Sequence, residues 1–329
     1  MALAPVFSPP GPLDLDEWLS LLTEEALDPD LPIIDCHHHL WDTPGAGRPG
    51  SAPPREPTPD GLPPLSQVVW GGARGQGSKR YMAEDFLADV KASGHNIVAT
   101  VYAQCHHFYD MDAPPGFDVV GETRAAQEAA DACAASGESI RLHAGMFADL
   151  DLRGLGASAE AVILAHKRYK CFRGIRNNLH GCCIMEDGFD DPSGEITSAG
   201  HAVLVRRPFE DPTFLQGFPL LAKHELLFEC ACWHNETPQL TALARQFPEQ
   251  SIVCDHVSTP LGWGQFSSLG ASAVFEEWKV NMTELAGCPN VMVKLSGLTM
   301  PSTGAFTRAR CRCTVKQQNT RCLDKHIPT

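Results

Sequence analysis

No stretch of this 329-residue sequence approaches the roughly 18 uninterrupted apolar residues that a membrane-spanning helix needs. Basic residues are also scarce: 26 Lys and Arg stand against 40 Asp and Glu, giving a net charge of −14. Nucleic acid and anionic membrane both call for a basic surface, so neither is expected as a partner. The opening MALAPVFSPPGPLDLDEW lacks a basic n-region, and prolines and early acids interrupt its apolar residues. Neither a secretory nor a mitochondrial signal is therefore expected, and the expected location is cytoplasmic. None of the 13 cysteines falls in the CxxC…CxxC spacing of a structural zinc site. They are expected as reduced, mostly buried small hydrophobes, with Cys182 and Cys183, Cys230 and Cys232, and Cys311 and Cys313 close enough to share a metal. GGARGQG has no preceding strand and no following GK[ST], so it reads as loop and not as a phosphate cradle.

What is present is globular: 43% hydrophobic and 20% charged residues. The length accommodates one (β/α)₈ barrel of about 250 residues with additions. Residues 1–30 read as an N-terminal extension in which Leu15, Trp18, Leu19 and Leu22 share a helix face. Residues 43–80, rich in Pro and Gly, read as a long loop. From 31 to 303, short apolar runs alternate with helical patterns. Strands are predicted at 32–38, 96–104, 140–147, 171–176, 226–231, 252–255 and 291–295, each apolar enough to be covered on both sides as in a parallel sheet. Helices are predicted at 83–92, 122–135, 157–167, 214–223, 238–246 and 274–285, with Thr237 placed to cap the fifth. This alternation defines an α/β fold.

The strongest chemical signal is IIDCHHHLWD at 33–42, an apolar strand running into three histidines. Side chains alternate along a strand, so His37 and His39 share a face and His38 points away. Two imidazoles spaced this way can chelate one divalent metal. They also lie at the C-terminal end of the strand, where α/β barrels carry their sites. Further histidines follow later strands at His234 and His256, where capping is as good a reading as chemistry. The adjacent His106 and His107 follow the second strand. His95, His143, His166 and His224 sit at strand starts or on helices and are expected to be structural or solvated. FRGIR supplies Arg173 and Arg176, whose guanidinium groups suit a carboxylate or, equally, a surface ion pair. Gln104 ends the second strand as a further polar contact.

DCHHHLWD resembles the first-strand signature of the amidohydrolase superfamily, in the branch of TIM-barrel hydrolases that includes lactonases and decarboxylases. HNIVATVYAQC (95–105), VGETRAAQEAA (120–130), CFRGIRNNLHG (171–181), the 226–262 stretch and NVMVKLSGLTMP (290–301) resemble the same branch in the same order. The resemblance implies His37, His39 and His234 as metal ligands and His234 and His256 as catalytic histidines of the fifth and sixth strands. It further implies Arg173, Arg176 and Gln104 as substrate contacts and a divalent metal, zinc foremost, although some members of the branch need none. The implied reaction is metal-assisted hydrolysis of a lactone or similar ester or amide carbonyl, with a small lactone or carboxylated molecule as substrate.

In that family an eighth strand ends in an aspartate that binds metal and accepts a proton. Here residues 304–329 show no such strand. They carry six basic residues against the single acid Asp324, a balance of +5 that leaves −19 on the rest. The expectation is an incomplete TIM-like barrel of seven strands, a basic tail foreign to the family, a truncated or re-spliced product, and little or no hydrolase activity. The alternatives are a non-oxidative decarboxylase of the same branch and a non-catalytic barrel acting as a binding module.

Overall fold

The seven apolar runs become one parallel sheet. The computed structural model describes residues 25–42, 80–178, 208–261 and 271–297. Its strands are β1 (Ile33–His38), β2 (Trp41–Asp42), β3 (Arg80–Tyr81), β4 (Ile97–Ala103), β5 (Arg141–Ala148), β6 (Phe172–Asn178), β7 (Leu227–Ala231), β8 (Ile252–Asp255) and β9 (Val291–Val293). Seven of them pair in the order β1-β4-β5-β6-β7-β8-β9, every pairing parallel. The sheet curls far enough that the chain just beyond β9 meets β1: Lys294 Nζ lies 3.2 Å from His37 Nδ1. Among the described residues β1 and β9 do not pair with each other, so the architecture is an incomplete TIM-like barrel.

Helices cover the outside: α1 (Ala83–Ala92), α2 (Val120–Ala135), α3 (Ala159–His166), α4 (Pro212–Gly217), α5 (Pro219–Lys223), α6 (Thr237–Gln246) and α7 (Ala271–Leu285). Alternation along β7 shows how the two faces divide. Phe228 turns outward, its ring edge-on to Phe218 at 5.0 Å in an aromatic cluster with Phe209 and Phe214. Glu229, one residue on, turns inward to Arg176. Gly174 lets β6 run this close to β7, because a Cβ there would stand 2.3 Å from the Leu227 carbonyl oxygen.

Two local expectations are corrected. Residues 214–223 do not form one helix; Pro219 removes a backbone donor and starts a second short helix instead. Thr237 is not the cap of its helix but its first residue, after Glu236, and its hydroxyl turns to the Trp233 carbonyl and to Ser258. The β2–β3 pair was not foreseen. It is antiparallel, with Trp41 opposite Tyr81 and their rings stacked at 4.9 Å, and so joins the two ends of the 43–79 stretch. The 15–22 helix, the body of the 43–80 loop, the 304–329 tail and the pairs at 182–183 and 311–313 lie outside the described residues. All eight described cysteines are free thiols, six of them buried. No helix among the described residues is long and apolar enough to cross a membrane.

Candidate active site

β1 delivers its histidines through an irregularity. Asp35 pairs with Thr100 and His38 with Tyr102, so β1 holds one residue more than β4 over the same span, a bulge at Cys36 and His37. The His37 N–H leaves the ladder there and donates to the Asp35 carboxylate at 3.0 Å. His38 turns away from the site, stacked on Phe86 at 4.0 Å with Nε2 3.0 Å from the Thr100 hydroxyl. His37 and His39 turn the other way and bring their Nε2 atoms to 3.1 Å.

The tautomers follow from the partners. The Ala103 carbonyl can only accept, so His39 Nδ1–H donates to it at 2.7 Å and Nε2 keeps a lone pair. Burial, then His37 and Arg176, hold the His39 imidazole well below its usual pKa, which keeps it neutral.

Beneath the histidines lies a buried set of charges. Glu229 on β7 and Asp255 on β8 are both fully buried. Arg176 on β6 reaches both, with Nε 3.1 Å from Glu229 and Nη2 donating to Asp255 at 2.8 Å. Lys294 Nζ forms an ion pair with Glu229 at 2.5 Å. Two cations therefore balance two carboxylates, the condition under which buried charge is tolerated. Burial alone would raise the Asp255 carboxyl, but the neighbouring His37, 3.4 Å away, and the Arg176 guanidinium outweigh it and hold the group well below the carboxylate range.

His256 follows β8 directly and opens three consecutive left-handed residues: His256, Val257 and Ser258 have φ of 48°, 51° and 53°. That conformation is costly for a branched residue. Buried bonds hold it: Trp278 donates from its indole to the Val257 carbonyl at 2.7 Å, and the Val257 N–H donates to the Lys294 carbonyl at 3.1 Å. The turn sets His256 Nδ1 2.8 Å from Ser296 Oγ and Nε2 3.3 Å from Asp255. Burial lowers this imidazole to about 4, so it too is neutral. The ring centroids of His37 and His256 stand 4.7 Å apart.

Among the described residues, His37, Asp255 and His256 offer ligand atoms within 4.8 Å of one another. Two nitrogens on one tetrahedral zinc, at about 2.05 Å each, would stand about 3.3 Å apart, close to the His37–His39 separation. Imidazoles plus an ionised carboxylate form a donor set that suits a divalent ion.

The other anticipated residues are placed differently. His234 is fully buried and its Nδ1 accepts from the Leu261 N–H at 3.2 Å, which leaves its hydrogen on Nε2, 3.7 Å from Glu277 of α7. It is not part of the His37–Asp255–His256 group. Arg173 is exposed and donates to the Lys170 and Phe172 carbonyls at the opposite, N-terminal end of β6. Residues three apart on a strand face opposite sides, so Arg173 and Arg176 cannot serve one pocket. Arg176 is committed to Glu229 and Asp255. Gln104 is buried at the end of β4, and its carbonyl lies 3.5 Å from Arg176 Nη1. Glu229, Lys294 and Ser296 were missed. Their signal was a charged or polar residue inside or just past an apolar strand, in LLFECA and VMVKLS.

The comparisons agree with this architecture. The y4mH protein of Sinorhizobium fredii is 28% identical over 278 residues, 82% of this chain and 74% of its own. The L-fucono-1,5-lactonase of Burkholderia ambifaria is 32% identical over 149 residues, 45% of this chain and 41% of its own. A Burkholderia multivorans amidohydrolase crystallised with bound zinc superposes with a TM-score of 0.55 at 22% identity, covering 88% of this chain and 78% of that one, which shows a shared fold. The amidohydrolase family model matches residues 34–316, from the first strand through the last described one. With that match across most of its length, the chain belongs to the amidohydrolase family.

Proposed function

We propose that this chain hydrolyses a small lactone, with a divalent metal, zinc foremost, held by His37, His39, Asp255 and His256. One observation carries the reading: imidazoles and an ionised carboxylate converge at the C-terminal end of the strands. The family supports hydrolysis in general, and the partial match to a lactonase supports the substrate class. When bound, such an ion polarises a carbonyl and lowers the pKa of a water toward 7. The protein's own part is preorganisation. Ala103 fixes the His39 tautomer, Arg176 keeps Asp255 ionised in a dry interior, Lys294 sits against Glu229, and Ser296 orients His256. Asp255 stands where it can supply the metal-binding carboxylate that the sequence otherwise left unassigned, so we propose that the chain is active. His234 acts from behind, bracing the turn at Leu261.

The test is metal analysis of the purified chain beside a lactone panel followed with a pH indicator, since ring opening releases a proton. About one metal per chain and turnover, both lost in a His37→Ala, His39→Ala variant, are expected. Release of CO₂ without lactone opening would replace this reading with decarboxylation. Bound metal with no turnover would leave a binding module.

A further inference from the structure

A second polar cluster lies on the same end of the barrel, past the end of β4. The chain leaves β4 at Ala103, and both His106 and Phe108 adopt left-handed conformations, each with φ of 61°. β5 ends at Ala148 and Asp149 follows it. Tyr109 donates from its hydroxyl to Asp149 Oδ2 at 2.6 Å. His106 Nδ1 lies 3.0 Å from that hydroxyl oxygen and 3.3 Å from Asp149 Oδ2. Both neighbours accept from Nδ1–H, which places the imidazole lone pair on Nε2. That atom has no hydrogen-bond partner among the described residues, and the side chain is 21% exposed.

The turn is built from below. Glu122, buried in the first turn of α2, accepts from the Cys105 N–H at 2.9 Å, from the His107 N–H at 3.4 Å and from the Tyr102 hydroxyl at 2.8 Å. Gly121 lets the loop lie flat on α2, where a Cβ would stand 2.4 Å from the Phe108 carbonyl oxygen. Arg124 pairs with Asp110 at 3.1 Å. A strained histidine, fixed by a carboxylate on one nitrogen and open on the other, is the arrangement of an acid–base dyad.

The dyad stands near the first cluster. The Ala103 carbonyl that holds His39 is three residues before His106, a reach of at most about 10 Å. The first cluster also lacks a ready proton acceptor among its described carboxylates, since Glu229 and Asp255 are both tied up in ion pairs.

We propose that His106, oriented by Asp149 and Tyr109, carries the proton in lactone opening. This rests on the lactone reading above. As the water oxygen bonds to the carbonyl carbon, His106 Nε2 takes one of its protons. As the ring C–O bond breaks, its electron pair goes to the ring oxygen and the same proton moves from Nε2 to that oxygen. Lactone and water become the hydroxy acid, and the imidazole returns to its neutral form. The substrate class follows. An aliphatic alkoxide needs that proton to leave, whereas a phenolate departs without it.

The experiment compares an aliphatic δ-lactone with dihydrocoumarin, whose leaving oxygen is phenolic, using the full chain loaded with metal. His106→Asn is the main variant, because Asn tolerates the left-handed backbone. Its kcat on the aliphatic lactone is expected to fall about 100-fold, with KM within about threefold and less than about tenfold loss on dihydrocoumarin. Asp149→Asn should give a smaller loss with the same dependence on leaving group. Equal losses on both substrates, a change in KM alone, or no change would overturn the proposal while leaving the hydrolase intact. A wild-type protein that opens neither substrate sinks both readings.

Discussion

Lys294 and His37 stand 257 residues apart in the chain, and the ammonium of one donates to Nδ1 of the other at 3.2 Å. An ammonium can only donate and a carbonyl can only accept, so the contact fixes the direction of a whole chain of bonds. Lys294 donates to His37 Nδ1, His37 Nε2–H to His39 Nε2, and His39 Nδ1–H to the Ala103 carbonyl. In this arrangement His37 carries hydrogen on the nitrogen that a metal would claim.

Lys294→Met therefore frees the proton to move to Nδ1, where Asp255 accepts it, and leaves Nε2 open. Metal affinity, measured by competition with a chromophoric chelator, is expected to tighten by about tenfold, or about 1.4 kcal/mol. Thermal stability should fall in the same variant, because Glu229 loses its 2.5 Å partner.

The two arginines of FRGIR should behave oppositely. Arg176→Met leaves two fully buried carboxylates short of their shared cation and is expected to cost about 3–5 kcal/mol in denaturant unfolding. Arg173→Met, on an exposed side chain, should stay within about 0.5 kcal/mol of wild type.

Acid sensitivity follows from two buried histidines outside the site. Burial lowers His143 and His166 to about 4 each, against 6.5 in the unfolded chain. Below pH 6.5 the unfolded chain binds protons at these positions that the folded chain refuses. Stability is therefore full above about pH 6.5, falls as pH drops toward 4, and levels off below it. The loss at pH 4 is about 3 kcal/mol per histidine. Urea unfolding at pH 7 and pH 5 measures it, and His166→Gln should show a shallower decline.

Gly121→Ala should disturb the loop and spare the barrel. Its Cβ would press on backbone at Phe108, an atom with no rotamer to yield, so a cost of about 1–3 kcal/mol is expected. Faster amide exchange confined to 105–110 and the start of α2 would be the signature.

The strands were legible because a parallel strand covered on both sides must be mostly apolar, as in LLFECA and SIVCDH. The break at Pro219 was legible in principle, since proline withholds a donor at any helix interior. The β2–β3 pair was not: two residues on each side of a long insertion carry no periodicity. At the site, period two gave His37 and His39 their common face, and the same rule applied to FRGIR would have parted its arginines. Glu229 and Lys294 were hidden for a different reason. A charge in an apolar strand signals a buried partner, but which strand supplies it depends on the curl of the sheet, which local sequence does not encode.

The three left-handed residues after β8 have a consequence for any attempt to improve this protein. Val257 is buried as well as strained, and the turn that it occupies is what presents His256. A library screened only for heat resistance would reward sequences that relax the turn and let the imidazole swing away. Robustness and reactivity draw on the same three positions in opposite senses, so a screen for one should be run with an assay for the other.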